Sequence, residues 1–137
     1  MALICDTGPL LAALDAADPD HGRCARLLTT GQEDLIVPAL VLAELDYWCS
    51  RRLPPVAWLT FLEDVVGGAY RVEPPSLVDL ARCRELQLRY ADLALGVVDA
   101  SVIALAERLG ELKVATLDHR HFGAVRPAHV EALLLRP

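Results

Sequence analysis

Short apolar runs alternate along the chain with longer stretches in which apolar residues recur every three or four positions. The short runs are typical of buried strands, and the wider spacing is typical of helices with one buried face. Strands are predicted at residues 3–6, 35–37, 69–72, 114–117 and 130–134. Because strands that alternate with helices form parallel sheets, the pattern predicts an α/β fold with a central, mainly parallel sheet of about five strands flanked by helices.

The helical pattern fills the intervals between these strands. Helices are predicted at residues 10–14, 22–28, 39–50, 55–66, 76–90 and 97–109. Ser76, followed three residues later by Asp79, matches an N-cap with a capping box, and Gly110 is suited to end the last of these helices. No linker or internal repeat interrupts the pattern, so we expect a single domain spanning residues 1–137.

The composition bears on the cellular location of the protein, its oligomeric state and the role of its cysteines. Apolar residues make up 54% of the chain, but no apolar run approaches the ~18 residues that span a bilayer. No basic segment precedes an apolar one at the N-terminus, so we expect no signal peptide, no membrane partner and a cytoplasmic location. The surplus of apolar residues predicts a second interface and therefore a homodimer. The cysteines lack the spacing of a zinc or disulfide framework and are predicted to be reduced: Cys5, Cys24, Cys49 and Cys83.

Four acidic residues stand where the pattern favours apolar ones. Asp6 and Asp118 each end a predicted strand, at the edge of a parallel sheet where ligands bind. Glu44 shares a helical stripe with apolar neighbours, and Asp99 lies in the first turn of the helix at 97–109. A turn-forming or capping role would explain Asp6, Asp99 or Asp118 singly, and a slight rotation would expose Glu44. Taken together, the four acids favour a shared site.

The chemistry of such a site follows from its charge. Carboxylates brought together away from water repel one another unless a cation neutralises them. An all-oxygen site suits Mg²⁺, with Mn²⁺ as a possible substitute, and such ions activate water and stabilise charge on a phosphodiester. The sequence therefore predicts metal-assisted chemistry on phosphate, with no covalent nucleophile.

Other polar residues near the four acids can be interpreted either as parts of a site or as ordinary turn and capping residues. Thr7 and Thr116 each lie close to an acid, where a hydroxyl could orient a metal-bound water or simply close a turn. Asp92 is a possible fifth acid, but a loop or capping role explains it equally well. His119 and His121 follow Asp118 closely, without the spacing of a zinc site.

Four segments of the chain resemble the motifs of PIN domains, in the family's order and spacing. They are LICDTGPLLA at residues 3–12, VPALVLAEL at 37–45, LGVVDASVIALAERLG at 95–110 and ATLDHRHF at 115–122. The chain is particularly similar to the short, single-domain PIN proteins of the VapC type, the toxins of bacterial VapBC toxin–antitoxin pairs. Each segment is weak evidence alone, but the four together cover nearly the whole chain.

The resemblance implies a Mg²⁺-dependent endoribonuclease that is dimeric and is neutralised by a small antitoxin covering its active site. It also implies that Asp6 and Asp99 are the principal metal ligands and that Glu44 and Asp118 complete the acidic pocket, directly or through water. The chain departs from the family pattern at His121, where many relatives carry an acid. This departure removes a possible outer carboxylate and leaves the four acids intact.

An RNA substrate must approach a chain whose net charge is −6. Part of that charge belongs to the four acids, which a bound metal ion would offset. Arg51 and Arg52 end the predicted helix at 39–50, and Arg120 follows the acid of the last motif, so these arginines are candidate contacts to the RNA backbone. The alternative is that they belong to ordinary solvated helix faces.

Two other functional classes compete with the nuclease. A receiver-type signalling domain would need adjacent acids after the first strand and a lysine after a late strand, whereas Asp6 stands alone and Lys113 precedes its strand. A haloacid-dehalogenase phosphatase would need Asp-x-Asp, which is absent at residues 6–8. A catalytically weak PIN-like module that binds RNA or protein remains a further alternative.

Overall fold

A five-stranded sheet in which all neighbouring strands pair in parallel forms the centre of the computed structural model, which describes residues Met1–Pro137. The sheet order is β3-β2-β1-β4-β5. The strands are β1 (Ala2–Cys5), β2 (Asp34–Pro38), β3 (Arg71–Glu73), β4 (Lys113–Ala115) and β5 (Leu134–Arg136). The predicted α/β fold with a parallel sheet of about five strands is confirmed.

Seven α-helices flank the sheet and supply its crossover connections. They are α1 (Thr7–Leu14), α2 (His21–Thr30), α3 (Ala39–Arg52), α4 (Pro55–Val66), α5 (Leu77–Arg89), α6 (Val97–Leu109) and α7 (His119–Ala124). A short 3-10 helix at Ala91–Leu93 joins α5 to α6. No helix has both the length and the apolar character needed to cross a membrane.

The order of the strands creates a switch point beside β1. The chain moves outward from β1 to β2 and β3, and then returns to place β4 and β5 on the other side of β1. In open parallel sheets, the crevice at the carboxyl ends of the strands where the direction reverses is the usual place for a ligand. Asp6 follows β1 directly and therefore lies at this position.

The core is built around the central strand, in which all four residues are buried. Leu3 and Ile4 are fully enclosed, and Leu45 of α3 and Ile103 of α6 join the same cluster. All four cysteines are free and buried, as the sequence predicts. Burial of this kind covers β1 on both faces, which is typical of a strand in the middle of a parallel sheet.

The predicted helix ends are also confirmed at two places. The Ser76 hydroxyl accepts a hydrogen bond from the Asp79 backbone N–H at 3.1 Å, and the Asp79 carboxylate accepts one from the Ser76 N–H at 3.0 Å. Gly110 ends α6 with a φ of 68°, a left-handed conformation that glycine adopts without steric cost.

Two predictions near the C-terminus are wrong in their boundaries. The strand predicted at 130–134 begins only at Leu134, because Val130 and Leu133 pack against the core without pairing in the sheet. The strand predicted at 114–117 is β4, which ends at Ala115, so Asp118 lies three residues beyond the strand end and begins α7 instead. Helix α7 has a single buried residue, Phe122, and so gives no helical period in the sequence.

Candidate active site

The four acids line one cleft at the carboxyl edge of the sheet. The cleft has a volume of about 540 Å³ and is lined by Asp6, Thr7, Gly8, Leu11, Glu44, Trp48, Arg52, Asp99, Leu117, Asp118 and His121. Residues that follow β1 and β4 and residues of helices α1, α3, α6 and α7 therefore meet at the switch point. The predicted convergence of the acids is confirmed, while their role as metal ligands stays a prediction.

Asp6 is the most deeply buried acid of the cleft, with 6% of its surface exposed. Its Oδ2 accepts a hydrogen bond from the Thr116 hydroxyl at 2.9 Å, but its Oδ1 is buried without a hydrogen-bond partner. Burial, with Asp99 and Glu44 nearby, raises the pKa of Asp6 to about 7. A buried carboxylate oxygen without a donor is costly, so this atom indicates a missing partner such as a cation.

Asp99 enters the cleft from the first turn of α6. Burial and the charges of Asp118 and Glu44 together raise the pKa of Asp99 to about 6, while His121 opposes the rise. Mutual repulsion of this kind is what a bound divalent cation would relieve. The shift therefore fits a cation site better than a helix cap, since a capping role alone would favour the ionised form.

Glu44 reaches the cleft from the border of the buried face of α3. The buried stripe of this helix is Val41, Leu45 and Cys49. Glu44 lies on the neighbouring, half-buried stripe with Leu40 and Trp48. The sequence placed Glu44 among apolar neighbours correctly, and its position at the border is what lets its carboxylate line the cleft.

Asp118 is the N-cap of α7 and is held from three sides. Its Oδ1 accepts a hydrogen bond from the backbone N–H of His121 at 3.0 Å, and its Oδ2 lies 2.6 Å from the His121 Nδ1. Its own N–H donates to the Thr116 hydroxyl at 3.0 Å. The capping role and the place in the cleft are therefore combined in one residue.

His121 belongs to the cleft, although the sequence indicated only that it could not form a zinc site with its neighbours. Its Nε2 lies 2.8 Å from the Leu93 carbonyl oxygen, and its Nδ1 lies 3.7 Å from Asp99 Oδ2. The hydrogen bond to Asp118 raises the pKa of His121. The spacing of Asp118 and His121, three positions apart, was the available signal, but it points to one site only if a helix follows Asp118.

The supporting residues predicted from the sequence divide into two groups. Thr7 lines the cleft, with its hydroxyl buried and without a hydrogen-bond partner, and Thr116 bonds to Asp6. Asp92 is exposed in the 3-10 helix and does not line the cleft. It does not join the acids, because the turn that carries it faces solvent.

The candidate RNA-binding arginines also differ in position. Arg52 lines the cleft, and its guanidinium lies 4.7 Å from the centre of the Trp48 ring. Arg51 stacks on Tyr47 at 4.4 Å and does not line the cleft. Arg120 is exposed on α7, also outside the cleft lining. Of these two consecutive residues of α3, Arg52 therefore lies at the cleft and Arg51 lies outside it.

The residues of the cleft fit a divalent cation. They offer carboxylate oxygens, one of them buried without a partner, and burial together with the mutual repulsion of these groups raises the pKa values of Asp6 and Asp99. A hard cation such as Mg²⁺ or Mn²⁺ prefers oxygen ligands of this kind.

Fold and cleft together define an α/β domain whose acidic crevice lies at the switch point of a parallel sheet. The chain belongs to the PIN domain family, whose sequence model matches residues 3–126. This membership excludes the receiver-domain and dehalogenase alternatives, and it confirms the resemblance carried by the four motifs.

Individual relatives agree with this assignment. The chain is 35% identical over 125 residues to ribonuclease VapC26 of Mycobacterium tuberculosis (strain ATCC 25618 / H37Rv), covering 91% of this chain and 93% of that protein. The crystal structure of M. tuberculosis VapC20, a sarcin-ricin loop cleaving toxin, superposes with a TM-score of 0.84 at 23% identity over 99% of this chain and 100% of that one. VapBC2 of Rickettsia felis, bound to a DNA fragment from its promoter, gives a TM-score of 0.71 at 17% identity, covering 99% and 98%.

Proposed function

We propose that this protein is a metal-dependent endoribonuclease that acts as the toxin of a VapBC-type toxin–antitoxin pair. The observation that carries the proposal is the cleft lined by Asp6, Glu44, Asp99 and Asp118, in which Asp6 Oδ1 is buried without a hydrogen-bond partner. The proposal also agrees with the 35%-identical relative, which is a VapC ribonuclease.

The four acids would hold Mg²⁺, or Mn²⁺ in its place. When bound, such an ion lowers the pKa of a coordinated water and stabilises negative charge on a phosphodiester. The protein's own contribution is to position the ligands. Thr116 fixes Asp6 Oδ2, and its hydroxyl also accepts the Asp118 N–H, so that one side chain helps to position two of the acids.

RNA would approach along the side of the cleft formed by α3. Arg52 is suited to contact a phosphate because it lines the cleft and is held over the Trp48 ring. Arginine binds phosphate oxygens through a planar fork, and stacking on an aromatic ring orients that fork in advance. Arg51 and Arg120 would contribute less, because they lie outside the cleft lining.

The partners in the proposal are a cognate small antitoxin and a second copy of the chain, in the cytoplasm. An antitoxin could silence the cleft by inserting an arginine among the carboxylates, where charge-assisted hydrogen bonds would replace the metal. The fold is shared with VapBC2, which supports an antitoxin partner. The homodimer is supported by apolar side chains left exposed on α5, Leu77, Val78, Leu80 and Leu88.

The test is cleavage of a broad RNA pool by the purified full-length protein, with the new RNA ends located by sequencing. We expect cleavage with Mg²⁺ or Mn²⁺, none with EDTA, and none from an Asp99→Asn variant prepared in parallel. Restored metal after EDTA should restore cleavage. Cleavage that persists in EDTA, or equal cleavage by Asp99→Asn, would remove the proposed mechanism. Inactivity of the wild-type protein with fresh Mn²⁺ would favour a binding module without nuclease activity.

A further inference from the structure

The orientation of the His121 ring is fixed by a backbone carbonyl. Its Nε2 lies 2.8 Å from the Leu93 oxygen, which can only accept a hydrogen bond. Nε2 therefore carries the hydrogen, and Nδ1 is the ring atom that faces the acids. The Leu93 carbonyl is itself well positioned, because it lies in the 3-10 helix, where the Leu93 N–H bonds to the Tyr90 carbonyl at 3.0 Å.

The Nδ1 atom of His121 lies beside two carboxylates of the cleft. It is 2.6 Å from Asp118 Oδ2 and 3.7 Å from Asp99 Oδ2, and the three potential ligand atoms lie within 4.8 Å of one another. Ligand atoms around one octahedral ion are about 3–4.3 Å apart when each lies at about 2.1 Å from the metal. Only a small adjustment would bring all three atoms onto a single ion.

The surroundings of His121 are those of a metal-binding histidine. Such histidines almost always donate the second ring N–H to a carbonyl, a carboxylate or water, which fixes the tautomer and aims the other nitrogen at the metal. The Leu93 carbonyl is that acceptor here. An independent observation in the same cleft also points to a cation, because the Oδ1 of Asp6 is buried without a partner.

We propose that His121 Nδ1 is a direct ligand of the cation, together with Asp99 and Asp118, so that the site is mixed nitrogen and oxygen. The proposal rests on the metal-binding part of the proposed function. Imidazole favours transition metals over Mg²⁺, whereas carboxylates alone suit Mg²⁺ and Mn²⁺ alike. The nitrogen ligand therefore makes this cleft selective for Mn²⁺ over Mg²⁺.

Electron spin echo envelope modulation of the Mn²⁺-loaded full-length protein tests the ligand directly. Coordinated imidazole nitrogen modulates the echo of Mn²⁺, and we expect this signal in the wild-type protein. A His121→Gln variant should lose it, and a His119→Gln variant should keep it, since His119 is exposed and does not line the cleft. A wild-type spectrum without nitrogen modulation, or one that His121→Gln leaves unchanged, would overturn the proposal.

A second measurement does not depend on how well the variant folds. Labelling the wild-type protein with ¹⁵N-histidine should replace the ¹⁴N modulation by the ¹⁵N pattern, and an unchanged spectrum would assign the nitrogen to another source and overturn the proposal.

In titration calorimetry, His121→Gln should weaken Mn²⁺ binding by about 10-fold or more, with a smaller loss for Mg²⁺. Equal losses for both metals would mean that His121 only positions Asp118.

The result is independent of RNA cleavage. A protein that binds Mn²⁺ through His121 but cuts no RNA would support the ligand and contradict the nuclease. A protein that cuts RNA with Mn²⁺ but shows no histidine nitrogen would support the nuclease and contradict His121 as a ligand.

Discussion

Thr116 donates its hydroxyl hydrogen to Asp6 Oδ2 at 2.9 Å, and the two residues are separated by 110 positions in the chain. The contact joins the end of β1 to the segment that follows β4, and Thr116 is fully buried. Because the same hydroxyl oxygen accepts the Asp118 N–H at 3.0 Å, one side chain sets the positions of two acids. It leaves Asp6 Oδ1 as the free oxygen of that carboxylate.

The first prediction concerns this hydroxyl. Thr116→Val keeps the shape of the side chain but removes the donor to Asp6 and the acceptor for Asp118. We expect a loss of about 1–3 kcal/mol in the free energy of unfolding, measured by urea denaturation, because two buried polar groups lose their partner. Metal affinity should fall as well. Thr116→Ser retains the hydroxyl and should stay close to the wild type, and equal stability of the Val and wild-type proteins would show that the contact is unimportant.

The second prediction concerns the pH dependence of stability without metal. The pKa of Asp6 is about 7 in the folded protein, against an ordinary value of 3.8. The folded state therefore keeps a proton that the unfolded state releases, so this contribution to stability is present below about pH 4 and is lost as pH rises through about 7. Asp6→Asn mimics the protonated form at every pH. In EDTA, its advantage over the wild type should grow between about pH 4 and 7, level off above pH 7, and reach on the order of 2–4 kcal/mol.

The matched control for this series is Asp92→Asn, which removes an exposed acid outside the cleft. Its stability difference from the wild type should stay flat over the same pH range. Asp6→Asn should also abolish cleavage, since it removes a proposed ligand. If it unfolds more easily than the wild type at pH 8 without metal, the carboxylate is structural and the cation site is wrongly assigned.

The third prediction separates the two arginines at the end of α3. Arg52→Ala should weaken RNA binding, because Arg52 lines the cleft. The slope of log affinity against log salt concentration should fall by about one, as expected for the loss of one phosphate contact. Arg51→Ala removes the same charge from a side chain that stacks on Tyr47 away from the cleft, and it should change binding little. Fluorescence anisotropy with a labelled single-stranded RNA at several salt concentrations measures both. Equal effects of the two variants would mean that only net charge matters.

The fourth prediction concerns the homodimer. Leu77 and Leu88 of α5 are 85% and 64% exposed, and apolar residues this accessible are expected to be covered by a partner. Light scattering at micromolar concentration should give the mass of two chains, and Leu88→Glu should shift it toward one. Leu59→Glu on α4 is a control of similar exposure, 56%, at a different surface. A wild-type monomer would contradict the prediction.

Much of the fold was predictable because its signals are local. The N-cap of α5 at Ser76, with Asp79, and the C-cap of α6 at Gly110 are set by short-range backbone chemistry. The bounds of α4 and α6 follow from apolar spacing. The place of His121 was not predictable in the same way. It depends on the Leu93 carbonyl, 28 residues away, and on a six-residue helix too short to show a period. Similarly, only the packed structure distinguishes Arg52 from Arg51.

The strand order has a consequence for the synthesis of the protein. The central strand β1 is made before β2 and β3, and its other neighbour β4 is made only after both, with Thr116 and Asp118 following it. A chain still emerging from the ribosome therefore contains Asp6, Glu44 and Asp99 without the residues that orient or complete them. The cleft is completed only after residues 116–118 have been translated, so chains released before that point would lack the residues that orient and complete the acids.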